Sequence, residues 1–233
     1  MAEDIDICFS EGFLKNLKKS YPDTGPEKFE EFKEYLRERI CEAMKKIDSV
    51  ENGIRLNKVH FGIDPECPEM SIDLDSASPK YETAYLQVPE EIVKPQFQIR
   101  KGGKLIKDII CELKSQEECK NIKVFSCGNF VHEFGHLQDA QRKEFGYTHE
   151  HKNLHKYIDL IWNVLLESRL SRSQISARNK EENWNSYCRR LEDLKVSPDR
   201  KNFEHLWKKR NYCYREIIDL AQSYPDASQV NHS

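Results

Sequence analysis

Hydrophobic side chains in the first fifty residues recur every three and four positions, which is the spacing of one face of an α-helix. They predict a helix over residues 9–20 and a longer helix from Pro26 to about Ser49. Proline suits the first position of a helix, because the N–H that it lacks would have no partner there. Residues 1–52 are therefore predicted to form an N-terminal helical segment.

The pattern changes in the middle of the chain, where β-branched and aromatic residues alternate with other residues. Prolines interrupt this region repeatedly, so each strand must be short. The expected strands cover residues 54–63, 70–74, 81–88 and 96–100. Together they predict a small, mostly antiparallel sheet of about three to five strands.

Helical spacing returns after residue 104 and continues almost to the end of the chain. The predicted helices cover residues 104–113, a segment from between 121 and 126 to about 145, and residues 153–171, 181–195 and 200–222. These elements predict an α+β fold in which the sheet packs on a central helix. We expect a core at residues 53–175 and a C-terminal helical segment at 176–233, packed with residues 1–52 as one compact domain.

Charge and composition exclude several classes of function. The formal net charge of the 233 residues is −3, which gives no global attraction to nucleic acid, so no nucleic-acid partner is expected. No run of 18 apolar residues is present, so no membrane span is expected. The N-terminus is acidic and lacks the apolar segment of a signal peptide.

The cysteines give a further indication of chemistry and location. None of the eight cysteines belongs to a Cys-x-x-Cys pair, which argues against a zinc ribbon or a thioredoxin-like redox site. Without a signal peptide, the cysteines are expected to be reduced thiols of a cytoplasmic protein.

The segment of residues 132–136, which reads His-Glu-Phe-Gly-His, indicates a metal site. His132 and His136 are four positions apart, so a helix places both imidazoles on one face, where they can bind one metal ion. Glu133 lies at the edge of that face, where its carboxylate can take a proton from a bound water. The flanking residues predict a half-buried helix because they are apolar; they are Phe130, Val131, Phe134 and Leu137.

Residues 131–137 resemble the active-site helix of the zincin metallopeptidases, and the resemblance is confined to this helix. It implies a zincin-like fold in which His132 and His136 bind one catalytic Zn²⁺ and Glu133 is the general base. The expected activity is that of a zinc-dependent metallopeptidase, which hydrolyses a peptide bond with a metal-activated water. The expected partner is a protein or peptide substrate.

A catalytic zinc ion usually has three protein ligands, so a third ligand is needed. The candidates downstream are His149, His151, His155, Asp159 and Glu167. If the chain turns near Gly146, an antiparallel helix returns over about 21 Å and places Glu167 level with His132. Glu167 interrupts an apolar stretch, and a buried carboxylate requires a partner.

A glutamate from a downstream helix resembles the gluzincin arrangement, which favours Glu167 over His155 as the third ligand. Asn163, one turn before Glu167, would then lie level with His136 and orient a ligand. The alternative for Glu167 is an ion pair with Arg169 or Arg172. The thermolysin-type Asn-Glu-x-x-Ser-Asp string of that group is not present.

The sequence is compatible with several oxyanion-stabilising groups and with other functions. The group that stabilises the oxyanion could be any of Tyr147, His149, His151, Tyr157 and Arg169. A catalytically silent zincin-fold binding or regulatory module is one alternative function, and a metal-dependent amidase acting on a non-protein substrate is another. A helical interaction protein without a metal is a third.

Overall fold

The computed structural model describes residues 5–20, 26–49, 54–65, 70–74, 82–89, 126–148, 151–176 and 178–224. The elements are β1 (Asp6–Phe9), α1 (Glu11–Ser20), α2 (Pro26–Asp48), β2 (Lys58–Asp64), β3 (Ser71–Ile72), β4 (Thr83–Pro89), α3 (Cys127–Gln141), α4 (His155–Arg172), α5 (Lys180–Asp193), α6 (Arg200–Lys208) and α7 (Tyr214–Gln222). One 3₁₀ turn, Lys152–Leu154, precedes α4. The predicted α+β class is confirmed.

The sheet has the strand order β1-β2-β4-β3. The pairs β1–β2 and β2–β4 are parallel, and among the described strands only β3 pairs antiparallel with its neighbour β4. The prediction of a mostly antiparallel sheet is therefore wrong. Strand direction depends on the connection, and α1 and α2 form the crossover that returns the chain to β2 in the direction of β1.

Other predicted elements differ from the structure at their ends. Phe9 belongs to β1 and not to the first helix, because its ring packs against the sheet residue Phe61 with centroids 5.6 Å apart. The last predicted helix is two helices, α6 and α7, separated by residues 209–213. α3 ends at Gln141, before the turn that leads to Gly146. The predicted strand at 96–100 and helix at 104–113 lie outside the described residues.

The chain divides into two compact units, Met1–Leu137 and Gln138–Ser233. The division falls within α3. The predicted boundaries near residues 52 and 175 stay predictions.

The first unit has an aromatic core that connects its helices to its sheet. Phe9 of β1 and Phe13 of α1 have ring centroids 4.8 Å apart, and Phe61 of β2 meets Phe130 of α3 edge to face at 6.3 Å. Phe13, Phe61 and Phe130 are fully buried. Burying a phenylalanine contributes about 1.5–3 kcal/mol, so this cluster holds the first turn of α3 on the sheet.

The second unit is helical, and α4 is its most buried element. Twelve of the residues of α4 are buried, including all from Val164 to Leu170. Such a helix is expected at the centre of a bundle, because a helix at the surface keeps one polar face. In the described part of the chain, no helix combines the length and the apolar character needed to cross a lipid bilayer.

Candidate metal centre

α3 places residues 132–136 in a buried environment. Ser126 begins the helix as its N-cap, since its Oγ accepts the N–H of Asn129 at 3.2 Å. From residue 130 to residue 140 every residue is buried except His132, which is half buried. A ligand platform needs this kind of packing, because packed neighbours restrict the side-chain rotamers.

The two histidines converge at their ε nitrogens. Nε2 of His132 lies 3.3 Å from Nε2 of His136, and the ring planes are inclined at 77°. In a tetrahedral zinc site with Zn–N bonds of about 2.0–2.1 Å, two ligand nitrogens are about 3.3–3.4 Å apart. Two imidazole nitrogens at this distance either share a proton or converge on a cation. The histidine pair thus fits a zinc ion.

Glu133 contacts the edge of the sheet. It is only 7 % exposed, and its Oε2 accepts the backbone N–H of Ile72 in β3 at 2.8 Å. The next N–H along the chain, that of Asp73, donates to the carbonyl of Tyr85 in β4 at 2.7 Å. Because N–H groups alternate in direction along a strand, the N–H of Ile72 faces away from β4. The carboxylate is therefore held against the outer side of the edge strand.

Glu167 belongs to the second unit, where it is buried and 5 % exposed. Its Oε2 accepts a hydrogen bond from Oγ of Ser176 at 2.6 Å. Asn163, one turn earlier, is half buried, whereas His155 is exposed at the start of α4. Among the described residues, no three His, Cys, Asp or Glu side chains group as a metal site. The assignment of Glu167 as third ligand thus stays a prediction.

The two arginines considered as ion-pair partners of Glu167 have other contacts. Arg169 forms an ion pair with Asp139. Arg172 donates to the backbone carbonyls of Trp207 at 3.2 Å and Lys209 at 3.4 Å. Burial and the nearby positive charge of Arg210 lower the pKa of Arg172 from its ordinary value.

Asp139 is a buried carboxylate that the sequence analysis missed. It has no exposed surface and accepts hydrogen bonds from four side chains. The donors are Arg142 at 2.7 Å, Trp162 at 2.8 Å, Tyr212 at 3.1 Å and Arg169. Burial and the charge of Asp139 raise the pKa of Tyr212 well above its usual value, so this hydroxyl remains a donor at neutral pH. The cluster joins the last turn of α3 to α4 and to the segment before α7.

The candidates for oxyanion stabilisation have different surroundings. Tyr157 is buried and stacks on Tyr224 with centroids 5.0 Å apart, and Tyr147 packs on Tyr214 at 4.8 Å. The charge of Arg169 is balanced by Asp139. His151 is half buried, and His149 lies outside the described residues.

Searches of protein-family models, of curated proteins and of solved structures each give no match to this chain.

The Asp139 cluster predicts a large effect on the second unit. Asp139→Asn replaces one acceptor oxygen with an NH₂ group that faces donors, and it removes the negative charge that pairs with the buried Arg169. Breaking a buried ion pair in this way costs about 3–5 kcal/mol. All three tryptophans, Trp162, Trp184 and Trp207, lie in this unit, so urea unfolding followed by tryptophan fluorescence measures the loss.

The matched control is Asp219→Asn, which removes an exposed ion pair with Arg215. An exposed pair contributes about 0–1 kcal/mol, so the unfolding midpoint should hardly move. Equal losses of stability in the two variants would show that the Asp139 cluster is not structural.

Proposed function

We propose that this protein is a zinc-dependent metallopeptidase that hydrolyses a peptide bond. The observation that carries the proposal is the 3.3 Å separation of the ε nitrogens of His132 and His136. These two residues hold the ion, which lowers the pKa of a bound water to about 7. The substrate is a protein or a peptide.

Glu133 is the general base of the proposal. Its carboxylate follows His132 directly in α3, and the contact with Ile72 restricts its orientation. A carboxylate held in place can accept a proton from the attacking water and return it to the leaving amine. Positioned acid–base groups contribute about 10²–10⁴-fold to a rate, so removing this group should be the most damaging single change that leaves the metal bound.

Glu167 is the proposed third ligand, and a zincin-like arrangement of the gluzincin type is the corresponding fold proposal. Its support is the burial of a carboxylate at 5 % exposure in an apolar stretch of α4. The hydrogen bond from Ser176 engages Oε2. A ligand carboxylate is usually oriented in this way by a hydrogen-bond partner.

We also propose a cytoplasmic location. Support comes from Cys127 and Cys213, which are thiols in the structure. Disulfides are rare in the reducing cytosol.

The metal and the reaction are tested together by three variants. Protein purified without added zinc should contain about one zinc ion per chain by mass spectrometry of metals, and His132→Ala and His136→Ala should lose it. Glu133→Gln should keep the zinc and lose cleavage of a random peptide library by a factor of about 10² or more. His205→Ala, at an exposed position of α6, is the control for removing a histidine.

Each of the other possible results would indicate a different function. Full activity in Glu133→Gln would reject the glutamate mechanism. Zinc that is bound by the wild type without any peptide cleavage would favour the catalytically silent module or an amidase for non-protein substrates. Wild type without metal would reject the zinc site and favour a helical interaction protein.

The third ligand is tested by a pair of variants. Glu167→Ala should weaken zinc binding by about 10–100-fold or more, because a ligand matters at least as much as the groups that orient it. His155→Ala should bind zinc like the wild type, since His155 is exposed at the start of α4. Competition with a chromogenic chelator measures both affinities. The reverse pattern would assign the ligand to His155.

The contact between Glu133 and β3 makes a further prediction. Ile72→Pro removes the N–H that donates to Glu133, and it removes no hydrogen bond to β4 because that N–H faces outward. Loss of such an orienting partner typically lowers activity about 10–100-fold, with the zinc content unchanged. Ile72→Ala removes the side chain but keeps the N–H, so its kcat should stay near that of the wild type. Equal kcat values for the two variants would contradict a role for this hydrogen bond.

A further inference from the structure

The second unit contains a cavity that the proposed zinc site does not use. The cavity has a volume of about 360 Å³ and is lined by residues of α4, α5, α6 and α7 and of the segments that precede α6 and follow α7. Small-molecule sites have volumes of about 300–1,000 Å³ and combine an apolar lining with a few polar groups. The aliphatic part of this lining includes Ile161, Leu191, Leu206 and Leu220. A compact organic molecule fits such a space.

Two tyrosines provide hydrogen-bonding groups in the lining. The hydroxyl oxygens of Tyr187 and Tyr224 are 2.8 Å apart, so one hydroxyl donates to the other. Burial raises the pKa of Tyr187 and of Tyr224, so both hydroxyls are neutral at physiological pH. A pair of hydroxyls has two O–H donors and needs only one for its own bond, and each oxygen keeps a lone pair. The pair can therefore bind a polar group of a ligand.

The charge in the cavity is negative. The lining includes the carboxylate of Asp199 and, among the described residues, neither lysine nor arginine. After burial and the tyrosine pair itself, the charge of Asp199 also contributes to the raised pKa of Tyr187. Oδ1 of Asp199 caps α6 by accepting the N–H of Lys201 at 2.8 Å. Oδ2 has no protein partner among the described residues, and it is available to a ligand.

We propose that this cavity binds a small organic cation, namely a primary ammonium group on an apolar or aromatic body. The ammonium group donates to Asp199 and to the tyrosine oxygens, since it has three donors and no acceptor. The body packs on the aliphatic side chains, and the faces of the tyrosine rings also attract a cation. The proposal does not depend on the zinc site, because every group that it uses belongs to the second unit.

Three probes with one apolar body test the charge preference. They are phenethylamine, 2-phenylethanol and phenylacetate, which carry a positive, a neutral and a negative group. Binding to the full-length protein is titrated by NMR at pH 8. We expect saturable shifts at Leu191 and Leu206, with phenethylamine binding at least about fivefold more tightly than 2-phenylethanol. Phenylacetate should bind most weakly.

Two variants and a control distinguish the effect of charge in the cavity from an effect on the fold. Asp199→Asn removes the charge and keeps the cap, because asparagine and aspartate cap helices equally well. It should abolish the preference for the amine over the alcohol. Asn202→Lys adds a positive charge to an exposed residue of the lining and should weaken phenethylamine binding. Asn185→Lys makes the same change at an exposed position of α5 outside the lining and should have no effect.

Several results would overturn the proposal. One is equal affinity for the amine and the alcohol, and another is a preference for the carboxylate. A third is the absence of saturable binding for all three probes, and a fourth is an unchanged amine preference in Asp199→Asn. The Glu133→Gln variant should bind phenethylamine like the wild type, so the failure of one proposal is distinguishable from the failure of the other.

Discussion

The burial of α3 is the constraint on which the candidate site depends. Residues 130–140 are buried apart from His132, yet the helix carries charged and imidazole groups in that stretch. A polar group in an apolar interior is costly unless it has a partner. Glu133 meets this requirement through an edge-strand N–H, Asp139 through four donors, and the two histidines through their close ε nitrogens. A cation between the histidines, as we propose, would meet the same requirement.

In the second unit, the buried helix α4 contributes both to the Asp139 cluster and to the lining of the cavity. Trp162 and Arg169 donate to Asp139, while Ile161 lines the cavity near Tyr187. One buried helix thus takes part in an ion-pair cluster and in the lining of a cavity. Buried ion pairs contribute little net stability but are damaging to break. In this unit the Asp139 cluster connects α4 to the end of α3 and to the segment before α7.

Helices were predictable where the spacing of apolar residues clearly defines one helix face. α2 runs from Pro26 to Asp48 as its apolar spacing and its first proline indicate. Periodicity failed at β1, because Phe9 continues the spacing of α1 while its ring packs with Phe61 of β2. The direction of the strands was also out of reach, since alternation along a strand is the same in parallel and antiparallel pairs. The connections decide it, as the crossover through α1 and α2 does for β1 and β2.

The sequence by itself determined that His132 and His136 share one face of a helix, because 3.6 residues per turn bring positions four apart to the same side. It also placed Glu133 at the edge of that face. It also indicated that Glu167 would be buried, from the apolar residues around it. Tertiary structure alone decided what those side chains contact. The 3.3 Å approach of the imidazoles depends on packing. The hydrogen-bond donor to Glu133 is 61 positions away in the sequence, and the most distant donor to Asp139 is 73 positions away. Contacts between such distant residues have no local sequence signal, because they exist only after the chain has folded.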